Sequence, residues 1–562
     1  MKKTGKYHLY MQFVLGLIIL VLINIIGSYQ FGRIDLTTEK RFSLSEPTKD
    51  LINNLDDIIY VKVYLKGDFP AGFKRLSKAT REMLDEFRAY ANSNIEYVFI
   101  NPSENPNIKE RNQGYAELVK QGLQPTNLEI TEEGGTAQKI IFPGAIMAYR
   151  ERELPIQLLK AQMGAPPELA LNNSIEGLEY ELSNTIRKLI KETTPKIAFI
   201  EGHGELTEME SRDISTALGE HYIIERIMLN EKLGTLDGFR AAIIAKPTLT
   251  FSEKDKFILD QFIMNGGRTI WFVDGVKTSM DSLFRSPSTM AIPLDNNLDD
   301  QLFKYGVRIN KDLVQDVQSG LIPLNTAIVG TPPKFELFPW IYFPLVMPNV
   351  DHPIVTNLNA IKCEFTSSLD TVSAAGITKT ILLKSSNHAR KLPAPAKVSL
   401  ELIKQPPDEE LFKNPGTPLA VLLEGEFSSV FTNRIPANIA NDSTIGFKTQ
   451  GIDNKMIVVA DGDMIKNHIQ HSSGEIYPLG YDKYTGQEFG NRDFILNCVD
   501  YICDDSDLIT VRSRELKLRL LNKQKVQDER LKWQLVNTGL PIVLVGLMGL
   551  LIGFFRKNKY KN

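Results

Sequence analysis

Cysteine is scarce: Cys363, Cys498 and Cys503 are the only three in 562 residues. They are few and odd in number, so no disulfide framework follows, and no C-x-x-C pair exists. Cys498 and Cys503 lie five apart in an expected helix, about 140° apart around its axis, and do not bridge each other. They read as small buried apolar side chains. A Walker A loop is missing, which excludes ATP hydrolysis through a P-loop. A serine nucleophile elbow, H-E-x-x-H and zinc-ligand spacing are missing too. His203 and His221 stand 18 apart with no third ligand close by. Strong charge is absent: 65 basic against 68 acidic residues give a net −3, which is no nucleic-acid footprint. There is no internal repeat and no low-complexity tract.

What is present is one membrane-length apolar run at each end. The first spans Leu9–Ile26, and no Asp, Glu, Lys or Arg occurs between Lys6 and Arg33. The second spans Leu540–Phe555, and none occurs between Lys532 and Arg556. About 20 mainly apolar residues suffice for a helix to cross a bilayer. A signal peptide fits the first run less well, because the run is long and no A-x-A-like site follows it. Lys2, Lys3 and Lys6 precede the first span, and Arg556, Lys557, Lys559 and Lys561 follow the second. Basic flanks favour the cytoplasm. The expectation is an inner-membrane protein with both tails inside and a large periplasmic body. The basic stretch 512–532 runs against that rule, but two spans require both tails on one side.

Five segments are expected: 1–32, a tail and the first span; 33–193, an α/β domain; 194–510, a second α/β domain; 511–535, an amphipathic connecting helix; and 536–562, the second span and tail. In the first domain, helix Glu46–Asn54, strand Ile58–Lys66, helix Phe73–Ala91, strand Ile95–Ile100 and helix Ile108–Gln121 follow one another. Strands Asn127–Thr131 and Gln138–Tyr149 and a helix Ser174–Lys191 complete it. This order matches a thioredoxin-like layout. The loop after the first strand, Lys66-Gly-Asp-Phe-Pro-Ala-Gly-Phe-Lys, has no cysteine, so thiol exchange is excluded there.

The second domain alternates strands and helices from Lys196–Ile200 onward, which indicates a doubly wound parallel sheet. Residues 279–418 read as a loop-rich insertion with short strands such as Thr380–Lys384 and a helix near Leu298–Tyr305. In the connecting helix, Leu516, Leu520 and Leu521 lie on an apolar stripe suited to partner coupling, and basic residues fill the other face.

Glu201-Gly202-His203-Gly204-Glu205 is the candidate ligand-binding loop. It follows a strand and precedes a helix, where α/β sheets bind ligands. Two glycines admit a close approach, and a histidine with two carboxylates could bind metal or move protons. The competing reading is a tight turn that needs glycine and holds a hydrogen-bonded histidine. Asp461-Gly462-Asp463 also follows a strand. Its carboxylates could hold a cation or simply end the strand and cap a helix.

Together these segments resemble the gliding-motility ABC-transporter auxiliary proteins, the GldG family of Bacteroidetes. The resemblance rests on Arg41-Phe-Ser-Leu-Ser, Ile200-Glu-Gly-His-Gly-Glu, Tyr305-Gly-Val-Arg-Ile-Asn, Asp312-Leu-Val-Gln-Asp, Asp351-His-Pro-Ile, Val459-Ala-Asp-Gly-Asp and Gly490-Asn-Arg-Asp-Phe-Ile-Leu-Asn. It implies a non-catalytic periplasmic subunit without cofactor or metal, working with a separate ATPase and permease, and linked to gliding and its protein-secretion machinery. It also implies a central domain of glutamine-amidotransferase-like (GIFT) type. No cysteine stands at a strand-to-helix elbow there, so amidotransferase chemistry does not carry over. Two alternatives remain: a periplasmic hydrolase or carbohydrate-active enzyme using the 201–205 loop, and a pure scaffold.

Overall fold

The computed structural model describes residues 11–22 and 44–559, apart from 92–93, 133–134, 161–166, 192–193, 328–331, 333, 349, 351, 357, 405–406, 437–440, 443–444, 471–473, 505–510 and 512–528. The chain divides into a body, Met1–Glu515, and a C-terminal unit, Leu516–Asn562.

The C-terminal unit holds one 30-residue helix, Arg530–Lys559. Its Arg530–Arg556 stretch, which contains an 18-residue window of mean hydropathy 2.2, is long and apolar enough to cross a membrane. Of the first apolar run, Met11–Leu22 forms a shorter apolar helix. The remainder of that run, the Arg41–Ser43 part of its downstream motif and the stripe leucines Leu516, Leu520 and Leu521 lie outside the described residues.

Next among the described elements of the body is helix Glu46–Asn53, whose first turn is capped by Ser45 Oγ accepting from the Thr48 amide. A mixed four-stranded sheet follows. Strands β1 (Ile59–Val63) and β2 (Ile95–Phe99) are parallel. Strands β3 (Thr126–Glu132) and β4 (Gly135–Ile141) form a hairpin of their own. Strands β5 (Gly144–Tyr149) and β6 (Arg152–Gln157) add antiparallel, giving the order β2-β1-β5-β6. Alternation aims Ile59, Val61 and Val63 at the apolar cluster formed with helices Ala71–Tyr90 and Leu178–Ile190.

Two expectations need correction here. The single strand Gln138–Tyr149 is two, divided at Phe142-Pro143, because proline has no amide proton to continue a ladder. The turn at Arg150, with φ 53°, then returns the chain as β6. The single helix Ser174–Lys191 is also two, Pro167–Glu176 and Leu178–Ile190, separated by Gly177. Glycine is a poor helix-interior residue, so the break falls there.

The central sheet has seven strands. β7 (Lys196–Glu201), β8 (Ile223–Met228), β9 (Phe239–Ala245), β10 (Arg268–Phe272) and Gln450–Val459 are mutually parallel. Pro418–Ser428 and Ile377–Lys384 extend one edge antiparallel. Both faces are covered, which is why the central strands β7, β9 and β10 are mostly apolar and buried. Ile197 and Phe199 join one core with Ile214, Phe494, Cys498 and Cys503. Ala198 and Ile200 join the opposite core with Leu259, Ile263, Leu302 and Tyr305. Cys363, Cys498 and Cys503 are all buried free thiols.

The stretch 279–418 is more than an insertion of loops. Ile377–Lys384 is an edge strand of the main sheet. The twelve-residue strand Phe335–Val346 pairs with Ser319–Asn325 and carries Trp340, Tyr342 and Phe343 into a core of its own.

Candidate functional site

Across the parallel strands the order is β8-β7-β9-β10 and then Gln450–Val459. The chain first moves from β7 to β8, then crosses back to β9. A crevice beyond the strand ends at such a reversal is where α/β sheets hold ligands. The loops after β7 and β9 meet there.

The side chains of the β7 loop are engaged within the protein. Gly202 and Gly204 have φ values of 113° and 73°, and a Cβ on Gly204 would lie 2.3 Å from Thr248 Oγ1. The His203 carbonyl accepts from the amides of Thr248 and Leu249 in the β9 loop. Its ring lies 3.2 Å from Glu205 Oε1 through Nδ1 and 3.1 Å from Asp255 Oδ2 through Nε2. It also stacks on Phe251 at 3.6 Å. Glu201 pairs with Arg226, which also reaches Ser211 and the Leu206 carbonyl. Burial opposes the imidazolium, but Glu205 and Asp255 outweigh it and raise the His203 pKa above 6.5. The folded state therefore binds that proton more tightly than the unfolded chain. This stabilisation is complete below about pH 6.5 and is lost as pH rises through the folded pKa. His203→Gln should abolish this part of the pH dependence in urea titrations between pH 6 and 9. An unchanged slope would show that His203 is not the protonated staple.

Beside this loop the strand ends carry a second charged group. Lys246 closes β9 in a left-handed conformation, with φ 57°. Its ammonium pairs with Asp463 and lies 3.5 Å from Asp274 Oδ2, at the ends of Gln450–Val459 and β10. Burial opposes the charge, yet Asp274 and Asp463 raise the Lys246 pKa. Asp461 accepts from the amides of Glu364, Asp463 and Met464. Burial, with Asp463 and Asp274 nearby, pushes its carboxyl well above the usual range. Among the described residues no group of three His, Cys, Asp or Glu side chains could hold a metal ion.

Above Asp463 opens a cavity of about 610 Å³. Phe343, Phe365 and Ile322 line one wall, and Lys362, Glu364 and Asp482 another. Lys362 Nζ lies 3.1 Å from Glu364 Oε1 and 3.3 Å from Asp482 Oδ2. Burial opposes the Glu364 charge, but Lys362 and His468 hold its carboxyl far below the usual range. The volume falls within that of small-molecule sites. Its wall thus combines apolar surface with the paired charges of Lys362, Glu364 and Asp482.

A model of the family described as an ABC-type uncharacterized transport system, auxiliary component, matches residues 194–498, more than half of the 562. The chain belongs to this auxiliary family. A domain of unknown function (DUF7088) matches residues 38–148. An "Uncharacterized protein" of Borreliella burgdorferi is 21% identical over 578 residues, covering all of both chains. Among solved structures, the mmIFT52 N-terminal domain is 15% identical with a TM-score of 0.30, covering 55% of this chain and 96% of its own. The exo-β-1,4-mannosidase Op5Man5 from Opitutaceae bacterium strain TAV5 is 11% identical with a TM-score of 0.18, covering 53% of this chain and 35% of its own. Likenesses this distant carry no argument about fold or activity.

As a member of the auxiliary family, the chain is an auxiliary subunit of a transport system. The match runs from β7 to residue 498 within helix Asn491–Cys503, so it contains the 201–205 loop, the Lys246 group and the 610 Å³ cavity. Sequence reasoning singled out Asp461 and Asp463 but missed Lys246, Lys362, Glu364 and Asp482. The strand-end rule that flags the 201–205 loop also applies to Lys246, which directly follows Ala245. Nothing local marks Lys362 or Asp482, which are 120 residues apart.

Proposed function

We propose that the protein is a non-catalytic, two-pass inner-membrane subunit that works with a separate ABC permease and ATPase. Both tails are cytoplasmic and residues 33–532 are periplasmic. The observation that carries this reading is membership of the auxiliary family. The apolar Arg530–Arg556 helix supports anchoring, and the basic tail residues support its orientation. The strand order β2-β1-β5-β6, with β1 and β2 parallel, supports a thioredoxin-like first domain. The doubly wound central sheet supports the GIFT-type reading. The engaged side chains of Glu201, His203 and Glu205 favour a structural loop over a hydrolase. The link to gliding and protein secretion rests on the motif resemblance alone. The stripe of Leu516, Leu520 and Leu521 is proposed as the coupling element between permease and body.

Purification of the tagged full chain in mild detergent should bring down a permease and a P-loop ATPase. Reporters at Lys2 and Asn562 should read cytoplasm, and one at Asn387 periplasm. A folded chain that purifies alone, or a periplasmic tail, would overturn the proposal.

A further inference from the structure

Residues 361–364 run past the 610 Å³ cavity with a period of two. Ile361 and Cys363 enter the apolar core of the central sheet. Lys362 and Glu364 alternate with them and line the cavity. Asp482 completes the group. Its Oδ1 accepts from the amides of Tyr484 and Thr485, and its Oδ2 faces Lys362. The Lys362 ammonium also lies 5.0 Å from the centre of the Phe343 ring. The side chains of Asp482, Lys362 and Glu364 are only 4%, 11% and 18% exposed. Enclosed ion pairs add little to stability, because desolvation offsets their attraction. Stability alone therefore does not account for three charges in this wall. A carboxylate held ionised in a cleft beside apolar surface is the pattern of a binding site.

The placement agrees. Asp463, another lining residue, follows strand Gln450–Val459, and Ser279 and Met280 follow β10. These strands are parallel neighbours, so the cavity lies beyond two adjacent carboxyl ends, where α/β sheets hold ligands. Arg285 ends the short helix Met280–Arg285 and is exposed where it lines the cavity. The cavity thus presents a cation at its mouth, a carboxylate within, and apolar rings beside them. A matching ligand carries both signs of charge on an apolar body.

We propose that this cavity binds a short peptide with free termini and apolar side chains. Its ammonium pairs with Glu364, its carboxylate pairs with Arg285, and its side chains lie on Phe343 and Phe365. Guanidinium–carboxylate pairing is the directional contact of the set. The volume, in the middle of the range for small-molecule sites, suits a few residues better than a single amino acid.

The test is calorimetric titration of the full chain, in an uncharged detergent, with leucylphenylalanine, blanked against empty micelles. Saturable binding is expected. N-acetylation and C-amidation of the dipeptide should each weaken it about tenfold. Arg285→Gln should weaken the dipeptide about tenfold yet leave the affinity for its C-terminal amide unchanged, which a general loss of folding would not do. Maltose, neutral and of similar size, should give no heat. No saturable heat with the dipeptide would overturn the proposal, as would equal affinities for the dipeptide and its N-acetyl form. Binding of maltose as tight as that of the dipeptide would overturn the choice of a zwitterion. Equal affinities of the Arg285→Gln and unmodified chains would overturn the seat given to the carboxylate. A chain that purifies without a permease leaves each of these outcomes as it stands.

Discussion

Lys246→Met is expected to destabilise the body by about 3–5 kcal/mol at pH 8, because it strips the partner from buried carboxylates. Asp463 and Asp274 flank that ammonium, and Asp461 lies behind them. Without it, these carboxyls ionise only at a cost, so their folded pKa values rise above the unfolded ones. The folded variant then binds extra protons, and its stability falls as pH climbs through and beyond the carboxylate range. Urea unfolding at pH 5 and pH 8 should show a smaller penalty at the lower pH. A penalty of equal size at both would mean that the side chain acts by packing and not by charge. Lys254→Met, which breaks an exposed pair with Glu231, should not change the midpoint resolvably.

Asp500→Ala should cost a similar amount, about 3–5 kcal/mol, and loosen helix Leu178–Ile190 from helix Asn491–Cys503. Asp500 accepts from Tyr222 Oη at 2.7 Å and faces Lys188. Burial works against its charge, but Lys188 and Arg187 hold its pKa below 3.8. Its contribution is therefore present above the unfolded carboxylate pKa and lost as pH falls through the lower folded value. Unfolding midpoints at pH 7, together with the rate of proteolysis between Ile190 and Lys196, measure both effects. An unchanged midpoint and cleavage rate would show that the packing of these two helices does not depend on this ion pair.

Periodicity made most of the elements legible. Strands β7 and β10 announce themselves as short apolar runs soon ended by Gly or Asp, and the helix expected to carry Cys498 and Cys503 is present as Asn491–Cys503. The 201–205 loop was legible as a conspicuous turn at the right place. What the turn does was not, because Asp255 and Arg226, which engage His203 and Glu201, come from later elements. The strand at Thr380–Lys384 was legible, as part of Ile377–Lys384, but its place in the main sheet was not. Its membership of the main sheet depends on pairing with Pro418–Ser428, a register that no local pattern encodes. The 610 Å³ cavity is further removed still, since its walls are assembled from segments between Ser279 and Tyr484.

The order of the central strands also bears on synthesis. Strand β10 ends at Phe272, while its parallel neighbour begins at Gln450, after 177 intervening residues (450 − 272 − 1). At roughly 5–20 residues per second, the nascent chain carries an unpaired β10 edge for about 10–35 s. That edge includes Trp271, which is wholly enclosed once the sheet closes. Such a strand is a ready template for wrong pairing. The ribosome thus releases the last parallel strand long after the first four can assemble, and the half-built sheet is the stage at which this protein is most exposed to aggregation.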